Sequence, residues 1–92
     1  MNTICVYYDL NDPDHQYNSL VNYLETFPGY AKAGSRIWFL NSNKECSLIR
    51  DEINRLEIPG GDRIIIFKIG DTWSATGLRP ETSTWLHQNW RP

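Results

Sequence analysis

The chain has 92 residues, which is the size of one compact domain and leaves no room for a second core. Its 9 Lys and Arg residues against 11 Asp and Glu residues give a net charge of -2, which excludes the overall positive field of a dedicated nucleic-acid-binding protein. Hydrophobic residues make up 40% of the chain, and no apolar run is long enough to span a membrane. Because the start shows no signal-peptide pattern, we expect one soluble, cytoplasmic domain over residues 1–92.

The first half of the chain predicts a strand, a helix and a second strand. Residues 3–10 are rich in β-branched and aromatic side chains, which is typical of a strand. Asp12 precedes a proline and suits a helix N-cap, and apolar residues then recur at helical spacing as far as Phe27. Residues 35–41 predict the next strand. Residues 29–33 suit either a bend that leads into this strand or an irregular hairpin with it.

The second half predicts a helix, a strand and a short final helix. Residues 42–45 match a capping box, and an apolar stripe follows along residues 46–56. Residues 62–70 hold four consecutive apolar residues, which predicts a strand buried on both faces. Residues 71–78 suit either a short edge strand or a loop. Pro80 opens a last amphipathic helix, behind which Trp90 is expected to pack.

This order of elements predicts an α+β fold. We expect a ferredoxin-like α/β sandwich, with a mainly antiparallel sheet of about four or five strands, two helices on one face and a short C-terminal helix. A strand buried on both faces needs a second cover, which predicts a homodimer built on the open face of the sheet. The alternative is that the C-terminal segment folds back over that face.

Alternation along the strands divides their side chains between the two faces. The expected core set of the first strand is Ile4, Val6, Tyr8 and Leu10. The opposite set, Cys5, Tyr7 and Asp9, is assigned to the open face. In the strand over residues 35–41, Trp38 alternates with apolar neighbours and is assigned to the surface. The predicted dimer face is therefore Cys5, Tyr7 and Trp38. The cysteines, Cys5 and Cys46, have no metal-binding spacing, and we expect buried, reduced thiols.

Several short motifs together resemble a group of small bacterial proteins often labelled SinR-like. Those motifs are Tyr8-Asp9-Leu10 followed by Asn-Asp-Pro, residues 35–40, Ile49-Arg50-Asp51, residues 62–69, and a tail with Trp73, Glu81, Trp85 and Leu86. The group is similar in outline to the small CRISPR-associated adaptation nucleases and to virulence-associated protein D. The resemblance implies a ferredoxin-like homodimer. It also implies that Asp9, at the end of the first strand, faces its copy across a cleft and takes part in metal-dependent phosphodiester cleavage.

The candidate site residues follow from this comparison and from their chemistry. Asp9 is the candidate catalytic residue, and Asp9 and Asp12 are candidate Mg²⁺ ligands because carboxylate oxygens suit that cation. The alternative roles are a turn cap for Asp9 and a helix-start charge for Asp12. Arg36, Trp38 and Lys68 are candidate contacts to nucleic acid or a protein partner, against the alternatives of packing for the tryptophan and solvated charge for the others.

The functional expectation is a small dimeric interaction or regulatory module that binds a protein or nucleic acid without catalysis. Two alternatives stay open. One is a metal-dependent endonuclease, acting on RNA or DNA in antiviral defence, centred on Asp9 with Mg²⁺ as its cofactor. The other is a phage or mobile-element inhibitor of a host protein complex.

Overall fold

The computed structural model of the protein describes residues 1–9, 18–56, 63–70 and 74–90. In chain order, these residues form β1 (Asn2–Asp9), α1 (Asn18–Leu24), β2 (Gly29–Lys32), β3 (Ile37–Ser42), α2 (Cys46–Asn54), β4 (Arg63–Lys68) and α3 (Pro80–Asn89). The predicted order of strands and helices is confirmed, including the short final helix that begins at Pro80. No helix in the described part of the chain is long and apolar enough to cross a membrane.

The strands form one four-stranded sheet in the order β2-β3-β1-β4, and each neighbouring pair is antiparallel. The protein therefore has a small α+β fold with three helices. Of the two alternatives for residues 29–33, the hairpin is correct, since Gly29 pairs with Asn41 and Lys32 pairs with Trp38 across β2 and β3. β1 lies between β3 and β4, and five of its eight residues are buried.

One face of the sheet, called here the helix-covered face, packs against α1 and α2. Leu20 and Leu24 lie one turn apart on α1, as Ile49 and Ile53 do on α2, so each helix presents a buried stripe to the sheet. These stripes meet the core set predicted for β1, together with two residues of β3; the buried sheet side chains are Ile4, Val6, Tyr8, Trp38 and Leu40. Leu10 of the predicted core set lies outside the described residues.

The expectation that β4 is buried on both faces is wrong. β4 lies at an edge of the sheet, where Ile64 and Ile66 are half-buried against the helices while Ile65 and Phe67 are exposed. A run of apolar residues indicates a strand, but the number of covered faces depends on what packs against it.

The predicted capping box is also wrong, because β3 continues through Ser42. The Ser42 hydroxyl accepts a hydrogen bond from the Lys44 amide at 2.9 Å, which makes a tight turn after the strand. Glu45 is the N-cap residue of α2, and its side chain makes no capping hydrogen bond. The predicted N-cap at Asp12 lies outside the described residues. Among residues 71–78, those that are described, 74–78, form a loop.

Candidate functional site

The second face of the sheet lies opposite α1 and α2. Within the part of the chain that the structure describes, α3 covers this face at one end only. Thr3 and Asn41 lie opposite each other on β1 and β3. The Asn41 side-chain amide donates to the Thr3 hydroxyl at 3.3 Å and to the Asn89 carbonyl at 3.1 Å. These buried polar groups fasten the end of α3 to the sheet. The alternative in which the C-terminal segment folds back is therefore correct for this end of the face.

An apolar cavity of about 360 Å³ lies beside the covered end, and its lining includes Cys5, Phe39, Phe67, Leu86 and Trp90. The rings of Phe39 and Trp90 are 6.3 Å apart, so Trp90, which follows α3, packs against β3. Cys5 is only 1% exposed, and burial raises the pKa of its thiol to about 11. The assignment of Cys5 to an exposed dimer face is therefore wrong, because the C-terminal segment hides it.

The other end of the second face stays open and is apolar. Tyr7 is 40% exposed, Ile65 is 58% exposed and Phe67 is 44% exposed. Tyr7 lies directly opposite Ile65 on β4 and opposite the half-buried Ile37 on β3. We call this set of four residues, Tyr7, Ile37, Ile65 and Phe67, the open half-face. Large apolar side chains that adjoin one another in water are typical of an interaction surface.

Asp9 ends β1 at the margin of the open half-face and forms two ion pairs. One carboxylate oxygen lies 3.6 Å from Arg36 Nη1, and the other lies 3.5 Å from Arg63 Nη1. Arg63 is also the residue directly opposite Asp9 on β4. The Asp9 side chain is about half exposed, so each pair contributes only about 0–1 kcal/mol to stability. The arrangement puts one carboxylate between two guanidinium groups.

Of the two predicted Mg²⁺ ligands, Asp9 lies within the described residues. Asp12 lies outside the described residues, so its proximity to Asp9 stays a prediction. Among the described residues, no group of three or more His, Cys, Asp or Glu side chains is arranged to hold a metal ion. A cation at Asp9 would compete with Arg36 and Arg63 for both carboxylate oxygens.

Trp38 lies on the helix-covered face, so its assignment to an exposed dimer or ligand surface is wrong. It is 3% exposed, and its indole nitrogen donates a hydrogen bond to the Tyr8 hydroxyl at 3.1 Å. The reason is the register, which places Trp38 opposite Val6 and Leu40 opposite Ile4 in the core set of β1. Tyr7 is the one residue of the predicted dimer face that is exposed.

The three predicted contacts to nucleic acid or partner are not brought together. Arg36 pairs with Asp9. Lys68 lies opposite Ile4, on the helix-covered side, with its Nζ 3.8 Å from Glu45. Trp38 is buried, so the three residues present no continuous basic and aromatic surface.

A polar cluster that the sequence patterns did not identify joins α1 to α2. The Tyr23 hydroxyl donates to Glu52 at 2.6 Å, and Lys44 Nζ donates to the same carboxylate oxygen at 2.8 Å. The bond from Lys44, supported by that from Tyr23, lowers the pKa of Glu52 below its ordinary range. Burial, followed by the bond to Glu52, raises the pKa of Tyr23. No local spacing signals the cluster, since Tyr23 belongs to a different helix.

The second face thus carries two adjoining surface features, which are the open half-face and the charged group of Asp9, Arg36 and Arg63 at its margin. No protein-family model matches the chain, and no curated protein matches it either.

Proposed function

We propose that this protein is a small interaction module that acts without catalysis, as a homodimer, and that contacts a protein partner through the open half-face. The observation that carries the proposal is the adjacency of the exposed Tyr7, Ile65 and Phe67 on two paired strands. Exposed apolar side chains of this size contribute most of the binding free energy when a partner removes them from water.

The chemistry of this surface favours a protein over a nucleic acid. Its centre is apolar, and the charges of Asp9, Arg36 and Arg63 lie at its margin, as in many protein–protein interfaces. A nucleic-acid surface instead needs cations that are free to replace counterions along a phosphate backbone. The carboxylate of Asp9 already opposes both guanidinium groups.

The fold of the module is proposed to be ferredoxin-like. The element order through β4 is strand, helix, strand, strand, helix, strand, and the sheet order β2-β3-β1-β4 supports that arrangement, with α3 as an addition. A kinship with the SinR-like and CRISPR-associated adaptation proteins is proposed on the same basis, together with the motifs around Asp9.

A metal-dependent endonuclease centred on Asp9 is the second candidate function. The observation in its favour is that Asp9 presents a half-exposed carboxylate beside two guanidinium groups. A carboxylate suits Mg²⁺, and guanidinium groups suit phosphate. Inhibition of a host complex would be one use of the interaction module and needs no separate site.

The two candidates are separated by a cleavage assay. Purified protein is incubated with labelled RNA and DNA in Mg²⁺, in Mn²⁺ and in chelator, beside Asp9→Ala and Asp51→Ala. Asp51 is the matched control because it is also an exposed carboxylate paired with an arginine, Arg50, on α2. The interaction module predicts no cleavage by any variant. Cleavage that is lost in Asp9→Ala and in chelator but kept in Asp51→Ala establishes the endonuclease.

The proposed surface is tested with Ile65→Asp against Leu48→Asp, because Leu48 is an exposed apolar residue on α2, away from the second face. Each variant is purified by affinity from cells that normally make the protein, and co-purifying proteins are quantified. We expect a stoichiometric partner that is kept by the wild type and by Leu48→Asp and lost by Ile65→Asp. Equal retention by both variants contradicts the proposed surface.

A further inference from the structure

The outer edge of β4 lacks the features that usually keep an edge strand unpaired. Among the described strands, β4 is the outermost on its side of the sheet. It runs for six residues, RIIIFK, without proline or glycine, and its charged residues, Arg63 and Lys68, stand only at its two ends. Edges that stay unpaired in native proteins are usually short or interrupted by charge or proline. The opposite edge, β2, follows that pattern: it has only four residues, begins with a glycine and contacts α3.

The hydrogen bonds of β1 show which backbone groups of β4 point outward. The Ile69 amide donates to the Thr3 carbonyl at 3.1 Å, so Ile69 faces β1. Backbone groups alternate in direction along an antiparallel strand. The amide and carbonyl groups of Phe67 and Ile65 therefore also point towards β1. The amide and carbonyl groups of Ile64, Ile66 and Lys68 therefore point away from the sheet. No strand of the described residues pairs with that side of β4.

We propose that the outer edge of β4 binds the same edge of a second copy, antiparallel and with the twofold axis at Ile66. This inference rests on the proposed homodimer and says how the two chains meet. Ile66 then exchanges backbone hydrogen bonds with Ile66 of the partner subunit, and Ile64 exchanges them with Lys68 of the partner subunit. All the outward-pointing groups of β4 are used.

The faces and charges agree with this register. A twofold axis perpendicular to the sheet keeps the helix-covered faces of both copies on one side, so opposed residues must belong to the same face. With Ile66 on the axis, Ile65 lies opposite Phe67 of the partner subunit on the second face. Lys68 lies opposite Ile64 of the partner subunit, so no two like charges are opposed. Beyond Lys68, the Gly70 carbonyl already accepts the Trp90 indole N–H at 3.0 Å, which limits pairing to β4 itself.

Pairing of the two β4 edges enlarges the apolar surface that is available to a partner protein. Each copy exposes Ile65 and Phe67 on β4 next to the new interface. Edge-to-edge pairing makes the two open half-faces one continuous apolar surface across an eight-stranded sheet, formed from two four-stranded ones. Face-to-face packing of the sheets would instead bury Tyr7 and leave the edge of β4 exposed.

Amide hydrogen exchange by NMR tests the edge directly, because it reads individual backbone groups. At concentrations where sedimentation shows a dimer, we expect the amides of Ile64 and Ile66 to exchange about tenfold or more slowly than in diluted monomer. The outward amide of Tyr30, on β2, is the internal control and should not change. A dimer in which Ile64 and Ile66 exchange as fast as in the monomer overturns the edge pairing and leaves the proposed homodimer standing.

A substitution gives a second test that does not depend on NMR. Lys68→Pro removes an outward amide without breaking a bond to β1, and Lys68→Ala is its control because it keeps that amide. We expect Lys68→Pro to raise the dimer dissociation constant about tenfold or more, and Lys68→Ala to leave it near the wild-type value. Circular dichroism checks that both variants fold. Equal dissociation constants contradict the edge pairing, whereas a wild type that stays monomeric contradicts both the edge and the homodimer.

Discussion

The Trp38 indole nitrogen donates a 3.1 Å hydrogen bond to the Tyr8 hydroxyl inside the core, between neighbouring strands. Both side chains are buried, so neither group has water as an alternative partner. Removing one partner from such a pair leaves the other unsatisfied, which costs more than the bond itself contributes.

We therefore expect Trp38→Phe to lower the free energy of unfolding by about 1–3 kcal/mol, from the unsatisfied Tyr8 hydroxyl and the smaller ring. Urea denaturation of Trp38→Phe, Tyr8→Phe and the double variant would measure it. The double variant should be less destabilised than the sum of the single variants. Additive effects would show that the hydrogen bond contributes little.

The stability of the protein should fall in acid because of Glu52. Its carboxylate accepts bonds from Lys44 and Tyr23, which lowers its pKa in the folded state below the ordinary value of 4.5. A group with a lowered folded pKa contributes stability above its unfolded pKa and loses it as the pH falls through the folded pKa. We expect Glu52→Gln to flatten this part of the pH dependence below about pH 4.5, as measured by thermal unfolding. Identical acid profiles for both proteins would contradict this role.

Gly29 is a position where a side chain does not fit. A Cβ atom there would lie 2.7 Å from Asn41 Oδ1 and 3.4 Å from the Trp85 ring. Because Asn41 is fastened to Thr3 and Asn89, it has little freedom to move. We expect Gly29→Ala to cost about 1–3 kcal/mol in urea denaturation.

The control for that substitution is Gly70→Ala, because an added Cβ at Gly70 meets nothing within 4 Å. Its free energy of unfolding should stay within about 0.5 kcal/mol of the wild-type value. If the two variants were equally stable, the close approach of β2 to α3 would not constrain the fold.

The Cys5 thiol should be unreactive in the folded protein. Burial raises its pKa to about 11, and Leu86 and Trp90 of the C-terminal segment line the cavity beside it. The thiolate is the reactive form, so a thiol reagent at neutral pH should modify Cys5 only after unfolding. Cys46→Ser isolates Cys5, and Cys5→Ser isolates the half-buried Cys46 as the faster control. Fast modification of Cys5 in native Cys46→Ser would show that α3 leaves the second face often.

The Asp9 ion pairs should matter little for stability. Arg36 and Arg63 are exposed, so solvent and salt screen their attraction to the carboxylate. We expect Asp9→Asn to change the free energy of unfolding by less than about 1 kcal/mol, with the difference shrinking at high salt. A larger loss would assign Asp9 a structural role that the geometry does not indicate.

Most of the secondary structure could be predicted from local patterns. The β-branched run of β1, the helical spacing of Leu20 and Leu24, and the proline that opens α3 each act over a few residues of chain. These local patterns can therefore be recognised in the amino-acid sequence without the tertiary structure. The exposed Tyr7 was also predicted, since alternation separates it from the core residues of β1.

Which strand side chains are buried and which are exposed could not be predicted from local patterns in the same way. Alternation divides a strand into two sets but does not say which set is covered, and the register with β1 placed Trp38 inside. The run of residues in β4 is apolar whether the strand is central or at an edge, and its position depends on the pairing of β1 with both β3 and β4. Coverage of Cys5 by a helix more than seventy residues away was likewise decided only when the chain folded, because burial depends on contacts between distant segments.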